Sequence, residues 1–345
     1  MDRSQDGDLR SEELVDDPTA LVDSILKVGP ARYSREEVAK KAGVTLDFAQ
    51  KFWRAVGFPQ VGEGVLMFTD EDVQAIRGVY LALEEGLTDE QVALEIARAT
   101  GQSASRLADA QVGALQETVP RPPVTEEGVD TRAATELMGY AQKVLPVLER
   151  SLVYLWRRHL AAATKRVILS PSVDEPTRAV GFADMADFST LSQQMDQDEL
   201  AALVSRFEAL SFDTVSEFGG RVVKLIGDEV MFVTDDVIAA ASIALSLVER
   251  AERDELLPSL KAGLAYGPVV DLEGDVFGAT VNLASRSTGF ARPGTVVVSE
   301  GFVDNLPDRE SLELSRIRRP VHLKGLGRAK LYALKGFADR EAAEE

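Results

Sequence analysis

Two aspartates follow short apolar segments, and their type and position suit metal binding. Asp184 follows the residues VGFA at 180–183, and Asp228 lies within RVVKLIGDEVMF at 221–232. Carboxylates delivered at the ends of adjacent strands can hold two divalent cations. Two metal ions stabilise both the attacking and the leaving oxygen of a phosphoryl displacement. The pair therefore indicates a two-metal site for phosphoryl chemistry.

The segment around Asp228 has the pattern of a β-hairpin. Strand-forming residues lie on both sides of Gly227-Asp228, and glycine at the first central position is typical of a type II′ turn. Lys224 interrupts the first apolar strand. An exposed strand face with an ordinary turn aspartate explains Lys224 and Asp228 equally well. The second strand-end carboxylate, Asp184, favours the chemical interpretation.

Composition limits the class of protein. The 345 residues allow two domains, and the net charge of −19 argues against a broad nucleic-acid-binding surface. The chain has no cysteine and only two histidines, His159 and His322, which excludes cysteine-ligated zinc and a histidine-rich metal centre. No apolar run approaches the ~18 residues of a membrane span. The acidic first residues do not resemble a signal peptide, so we expect a cytoplasmic protein.

Residues 18–118 are predicted to form a helical regulatory domain, and the acidic residues 1–17 are predicted to be a disordered tail. A capping box at Ser34–Glu37 and a break at Gly43 define two helices that resemble a helix-turn-helix, followed by a segment that resembles the wing and next helix of MerR-type regulators. Residues 1–110 carry 12 Lys/Arg against 21 Asp/Glu. Because DNA affinity depends on phosphate neutralisation, a regulatory or dimerising bundle is favoured over DNA binding.

Residues 119–170 are predicted to be a linker with long helices, one of them running from Thr131 to about Arg166 with a kink at Pro146. An apolar stripe on this helix is typical of a helix that faces a core. The stripe comprises Leu145, Leu148, Leu152, Leu155 and Trp156. His159 lies near the end of the helix. It is either an ordinary surface residue or a regulatory one, because histidine titrates near neutral pH.

Residues 171–345 show the order β-α-β-β-α-β. The predicted strands cover about 178–184, the two arms of the hairpin, 260–270 and 295–299, and the predicted helices cover about 198–218, 236–253 and 280–290. A final ribbon begins at His322. This order predicts an α+β chain, in which an all-α N-terminal domain precedes a ferredoxin-like α/β sheet with helices on one face.

Three motifs in the second domain resemble one family. FADMADF, GGRVVKLIGDEVMF and GDVFGATVNLASR occur in the order and spacing found in the catalytic domain of class III nucleotidyl cyclases, and the resemblance extends from about Arg178 to Leu334. It implies that Asp184 and Asp228 bind two Mg²⁺ or Mn²⁺ ions per active site. It also implies that backbone N–H groups of the turn after Phe182-Ala183 contact the phosphates.

The resemblance assigns the remaining site residues to substrate contacts. Lys224 and Asp275 match the pair that reads the purine, and a lysine donor with an aspartate acceptor fits adenine, so the pair implies ATP. Asn282 would orient the ribose, and Arg286, one helical turn later, would stabilise charge on the α-phosphate. Lys324 matches a triphosphate-binding lysine. Active sites of the family lie between two catalytic domains, which implies a homodimer with two sites.

Two residues depart from the family pattern. Asp187 stands where glycine is usual, and it either caps the following helix or weakens ATP binding. Glu229 follows Asp228 where a small residue is common. The short connection at 268–274 resembles the subgroup with a reduced dimerisation arm. The whole chain resembles actinobacterial pH-responsive adenylate cyclases, which implies that the N-terminal domain controls catalysis and can hold an apolar ligand such as a fatty acid.

Three functions compete. The first is an adenylate cyclase that converts ATP to 3′,5′-cyclic AMP and pyrophosphate. The second is a nucleotide-sensing DNA-binding regulator, which the helix-turn-helix resemblance supports and the acidity opposes. The third is a guanylate cyclase, which Lys224 and Asp275 oppose. The complete set of catalytic residues favours the adenylate cyclase.

Overall fold

The computed structural model describes residues 22–23, 26, 28–116, 124–125, 128–129, 131–169, 176–272, 274–317, 321–323 and 327–338. It divides into two compact units, Met1–Leu169 and Ser170–Glu345. The predicted tail at 1–17 and Lys324 lie outside the described residues.

The described residues of the first unit are mainly helical and include one very short strand pair. Its helices are α1 (Arg35–Ala42), α2 (Leu46–Val56), α3 (Asp70–Glu84), α4 (Glu90–Gln116) and α5 (Thr131–Leu169), and its strands are β1 (Val124–Thr125) and β2 (Gly128–Val129). The predicted capping box is confirmed, because Ser34 accepts from the Glu37 N–H and the Glu37 carboxylate accepts from the Ser34 N–H. Gly43 and Gly57 end α1 and α2 in the left-handed conformation that glycine tolerates best.

The aromatic core of the first unit involves the helix that would read DNA in a helix-turn-helix. Trp53 of α2 stacks on Phe68 with ring centroids 4.2 Å apart. The partly buried Lys51 of α2 is paired with Asp47 at 2.7 Å and with Glu90 at 2.9 Å. These two carboxylates neutralise a cation that DNA phosphates would require.

Helix α5 runs unbroken through Pro146 over 39 residues. Its apolar stripe does not face the core of the first unit, since Leu152, Leu155 and Trp156 are 47%, 51% and 59% exposed. The prediction of a core-facing helix is therefore wrong for these three residues. Of the helices that the structure describes, none is long and apolar enough to cross a membrane.

The described residues of the second unit form eleven strands, seven of which make up one sheet. Its strands are β3 (Thr177–Met185), β4 (Arg221–Ile226), β5 (Glu229–Thr234), β6 (Leu260–Pro268), β7 (Val270–Leu272), β8 (Asp275–Phe277), β9 (Val296–Ser299), β10 (Leu312–Arg316), β11 (Val321–Leu323), β12 (Gly327–Ala329) and β13 (Leu331–Phe337). Its helices are α6 (Phe188–Leu191), α7 (Gln197–Glu217), α8 (Val237–Glu252), α9 (Ala279–Phe290) and α10 (Glu300–Asp304). The main sheet has the order β10-β13-β9-β6-β3-β5-β4, and β7 pairs with β8 as a separate ribbon.

Helices cover both faces of this sheet. Side chains of β3 alternate between two cores: Ala179 and Ala183 pack with residues of α7 and α8, whereas Val180 and Phe182 pack with Ala284 of α9. The α+β class is confirmed, and the expectation that helices lie on one face is wrong. The β4–β5 hairpin is confirmed. Gly227 has φ +63° and Asp228 has a negative φ, as in a type II′ turn.

Glycines allow α9 to approach the sheet closely. A Cβ at Gly263 of β6 would lie 2.2 Å from the backbone nitrogen of Thr288 in α9, and one at Gly267 would lie 2.8 Å from the Thr280 hydroxyl oxygen. The backbone of Thr288 has little room to retreat. The two glycines therefore fix how close α9 lies to β6.

We expect Gly263→Ala to lower the free energy of unfolding by about 1–3 kcal/mol, because the added methyl group overpacks against helix backbone. It should also lower activity by displacing α9. Gly289→Ala in α9 is the control, because a Cβ at Gly289 would meet nothing within 4 Å. Because alanine favours helix, the control should be neutral or stabilising by up to about 1 kcal/mol. Denaturant unfolding of both variants tests the difference, and equal stability would contradict this account of the packing.

Candidate active site

Three strands bring charged side chains together on the α9 face of the sheet. Asp184 of β3 lies directly opposite Glu229 of β5 and directly opposite Lys261 of β6. Asp228 joins them through the turn, since the Met185 N–H donates to the Asp228 carbonyl oxygen at 3.0 Å. The sheet register thus places three carboxylates and one ammonium group at one edge.

The carboxylates of this cluster disfavour one another's ionisation. Burial raises the pKa of Asp184, and the ion pair with Lys261 at 2.8 Å offsets this only in part while the Asp228 carboxylate raises it further. Burial also raises the pKa of Glu229 to about 7, with added repulsion from Asp184 and Asp228. Three carboxyl groups thus share one ammonium group in a half-buried cluster, and ionising all three together is unfavourable.

Asp184 and Asp228 fit a divalent cation. Their oxygens are the hard ligands that Mg²⁺ and Mn²⁺ prefer, and a cation would relieve the repulsion within the cluster. Among the side chains that the structure describes, no group of three or more His, Cys, Asp or Glu residues is arranged around one ion position. Two aspartates suit Mg²⁺, which commonly binds one or two carboxylates together with water and substrate phosphates.

Lys261 was missed by the sequence analysis. Its Nζ lies 2.8 Å from Asp184 Oδ2, and both side chains are largely shielded from solvent. The signal was present, because Lys261 interrupts the apolar segment LKAGLA as Lys224 interrupts its own strand. Its relation to Asp184 depends on the β3–β6 register, which joins residues far apart in the chain.

Lys224 and Asp275 form an ion pair on the same face of the sheet. Lys224 Nζ lies 2.5 Å from Asp275 Oδ2 and 5.7 Å from the centre of the Phe277 ring. Burial acts to raise the pKa of Asp275, but hydrogen bonds from Lys224 and from the Val276 N–H outweigh it, so this pKa lies below its usual value. The structure thus places the predicted hydrogen-bond donor, Lys224, beside the predicted acceptor, Asp275.

Asn282 and Arg286 point away from the carboxylates of their own chain. The residues of α9 that face the sheet include Thr280 and Ala284. Asn282 and Arg286 each follow one of these by two positions, a rotation of about 200° around the helix. Both are exposed. The structure therefore does not bring them to the metal site of the same chain.

Of the remaining predicted residues, two lie inside the sheet and one lies on α5. Phe182 and Ala183 are buried inside β3 and are paired on both sides, to β5 and to β6, so their backbone groups serve the sheet. In the segment after β3, the N–H groups of Ala186, Thr190 and Leu191 donate to carbonyl oxygens of the chain itself. His159 is exposed on α5 in the first unit.

Asp187 does not cap α6. It stands at the N-cap position with φ +57° and ψ 20°, and its side chain makes no capping hydrogen bond. The capping interpretation is therefore wrong. Glycine adopts this left-handed conformation more readily than aspartate does.

Comparison with known proteins identifies both units. Residues 174–336 match the model of the adenylate and guanylate cyclase catalytic domain, and residues 16–161 match that of the adenylate cyclase regulatory domain. The chain is 41% identical over 295 residues to an adenylate cyclase of Streptomyces coelicolor, covering 84% of this chain and 76% of that protein. It is 30% identical over 317 residues to a pH-sensitive adenylate cyclase of Mycobacterium tuberculosis, covering 89% and 79%.

Among solved structures, the adenylyl cyclase CyaB from P. aeruginosa aligns over 48% of this chain and 95% of that chain, with 18% identity and a TM-score of 0.42. The sequence matches confirm the resemblance drawn from the motifs.

We expect the stability of the metal-free protein to fall as pH rises from about 4.5 to about 7. Glu229 keeps its proton in the folded chain up to a pKa of about 7, whereas the unfolded chain releases it near the ordinary value of about 4.3. The folded state therefore binds more protons in this window and loses stability as they leave. Thermal unfolding in chelator tests this. Glu229→Gln should flatten the decline, and a decline as steep as in the wild type would contradict the assignment.

Proposed function

The chain belongs to the adenylate cyclases, and we propose that it converts ATP to 3′,5′-cyclic AMP and pyrophosphate as a homodimer with two active sites at the subunit interface. The observation that carries this proposal is the orientation of α9. Asp184 and Asp228 lie on the sheet, whereas Asn282 and Arg286 point away from it. Each half of the catalytic set then meets its complement only on a second copy.

The strand-end carboxylates form the metal half of the proposed site. Asp184 and Asp228 would hold two Mg²⁺ or Mn²⁺ ions, which when bound supply Lewis-acid activation of the ribose hydroxyl and neutralise the triphosphate. The backbone N–H groups at the start of α6 would donate to phosphate oxygens. Lys261 Nζ lies 2.8 Å from Asp184 Oδ2, so a metal ion bound to Asp184 would compete with Lys261 for this carboxylate. Lys324 would add a further cation to the triphosphate.

Lys224 and Asp275 would select the base. Adenine presents an acceptor at N1 and a donor at its exocyclic amine, which Lys224 and Asp275 complement in that order. Guanine presents the opposite pattern at these positions. In the structure, Lys224 Nζ donates a hydrogen bond to Asp275 Oδ2 at 2.5 Å. A bound adenine would replace this contact by one hydrogen bond to each side chain.

Exposed apolar side chains next to the site support a subunit interface. Val270 and Phe277 lie opposite each other on the β7–β8 ribbon and are 52% and 45% exposed. Leu272 of β7 is also exposed. Clustered apolar surface of this kind marks interaction sites, and a twofold dimer pairs one such surface with itself.

The proposed reaction is an internal displacement. The ribose O3′ attacks the α-phosphorus, an O3′–P bond forms, the bond to the bridging oxygen of the pyrophosphate breaks, and the hydroxyl proton leaves to water. Asn282 of the second copy would orient the ribose, and Arg286 would stabilise charge on the α-phosphate. Such chemistry needs positioning and charge neutralisation more than covalent catalysis.

Complementation tests the shared site. Asp228→Ala and Arg286→Ala should each abolish most activity, because one removes a metal ligand and the other a phosphate contact. Coexpressed in equal amounts, they should form mixed dimers with one intact site and restore about a quarter of wild-type activity, as random pairing of a twofold dimer requires. Asp184→Ala with Asp228→Ala is the matched control and should restore none. No recovery in stable mixed dimers would refute a shared site.

The first unit would regulate the second. A cavity of about 250 Å³ in this unit is lined by Trp53, Phe58 and Phe68, with Arg35 and Arg54 also in its wall. An aromatic wall with cationic groups suits an apolar ligand with an acidic end, such as a fatty acid. The pH-sensitive relative in Mycobacterium tuberculosis supports control by pH, and His159 on α5 is exposed to solvent.

A pH profile of cyclic AMP production tests the regulatory histidine. In the full-length protein, His159→Ala should flatten the change in activity near neutral pH, because histidine is the side chain that commonly changes charge there. Arg158→Ala is the matched control, since it removes an exposed neighbour that stays charged throughout. It should keep the wild-type profile. An unchanged profile in His159→Ala would remove this residue from the regulation.

A further inference from the structure

The β7–β8 ribbon that carries Asp275 has two different faces. Residues paired across the ribbon share a face, so Leu272 lies with Asp275, and Asp271 lies with Val276 on the other face. Val276 is 1% exposed and belongs to the core. The Asp275 face therefore points outward, and the Asp271 face points towards the sheet.

Asp271 ties the inner face of the ribbon to two arginines of the sheet. Arg178 Nη2 of β3 donates to Asp271 Oδ2 at 3.1 Å, and Arg221 Nη2 of β4 lies 3.7 Å from Asp271 Oδ1. Arg221 Nη1 also donates to the carbonyl oxygen of Gly274 in the ribbon turn, at 3.1 Å. The ribbon is thus anchored beside Asp275 at its strand and at its turn.

Arg178 is the more buried of these arginines. Its side chain is 14% exposed, and its other terminal nitrogen, Nη1, lies 2.5 Å from Asp235. It stands on a central strand, opposite Gly267 of β6. The Val269 N–H, just before the ribbon, donates to the Pro176 carbonyl oxygen at 2.9 Å. Arg178 thus joins a rigid part of the sheet to the base of the ribbon.

The ribbon needs such an anchor. It consists of two strands of three residues each, and an isolated two-stranded hairpin of this size is marginal in water. Its outer face contributes Phe277 to the surroundings of Lys224 and Asp275 to the ion pair with Lys224. A shift of the ribbon would therefore separate the two groups that are proposed to read the base.

We propose that Arg178 is a positioning residue for base selection: through Asp271, it holds the β7–β8 ribbon where Asp275 meets Lys224. This inference rests on the proposed role of Lys224 and Asp275 in binding adenine. Arg178 touches neither substrate nor metal in this scheme. Its effect should therefore appear in the choice between ATP and GTP and in KM more than in kcat.

The two carboxylates bound to Arg178 provide a matched pair of variants. Asp271→Asn weakens the anchor on the ribbon, whereas Asp235→Asn weakens a partner of the same arginine that lies outside the ribbon. In the full-length protein, kcat and KM are measured for ATP and GTP with Mn²⁺. Asp271→Asn and Arg178→Ala should lower the ATP-over-GTP ratio of kcat/KM about tenfold, since small displacements of positioning groups have effects of this order. Asp235→Asn should change it less than about twofold, as expected of an exposed ion pair.

A double-mutant cycle separates positioning from general loss of stability. Arg178→Ala with Asp271→Asn should cost little more selectivity than either change alone, because both break one contact. Arg250→Ala is a further control, since Arg250 pairs with Glu217 at 2.7 Å between α7 and α8. Its effect on selectivity should be negligible. Thermal unfolding of each variant identifies any that is only partly folded.

Variants of Lys224 and Asp275 distinguish a failure of the proposed base contacts from a failure of the proposed role of Arg178. If Lys224→Met and Asp275→Asn leave the ATP-over-GTP ratio unchanged, the proposed base contacts are wrong. If they change the ratio while folded Arg178→Ala and Asp271→Asn keep the wild-type ratio, only the positioning role of Arg178 is overturned. An equal loss of selectivity in Asp235→Asn and Asp271→Asn would also overturn the positioning role, because Arg178 would then not act through its contact with the ribbon.

Discussion

The repulsion among half-buried carboxylates at one edge of the sheet is the interaction on which the catalytic unit depends. Asp184, Asp228 and Glu229 are held together by β3 and the β4–β5 hairpin, with Lys261 as their nearest cation. Such a cluster costs free energy unless a cation enters it. Buried apolar side chains on both faces of β3 hold the strand, and with it the cluster, in place.

The close contact of α9 with the sheet has consequences beyond packing. Because Gly263 and Gly267 let the helix lie against β6, the inner side of α9 is filled by small residues such as Ala284 and Thr288. The long polar side chains of Asn282 and Arg286 are thereby directed outward. In the proposed function, a single chain supplies two incomplete halves of a site, so assembly of two copies would be a condition for catalysis.

The two proposed levels of control act on different parts of the molecule. The first unit contains an aromatic-lined cavity and a long helix with exposed apolar residues, features suited to a ligand or a partner. The β7–β8 ribbon lies within the catalytic unit and sets the position of Asp275 through Asp271 and Arg178. Substrate choice would therefore be determined by the sheet, whereas the level of activity would be determined by the regulatory unit.

Sequence patterns alone predicted the local structure: the capping box at Ser34, the turn at Gly227-Asp228, and a strand that carries Asp184 near its end. Turn chemistry and residue periodicity encode these features within a few neighbours. The motifs also located Lys224 and Asp275. The tertiary structure was needed to show that Lys261 pairs with Asp184 and that Arg178 pairs with Asp271. It was also needed to show that the apolar stripe on α5 is exposed and that helices pack on both faces of the sheet. These relations join residues far apart in the chain, where strand register and packing decide which side chains meet.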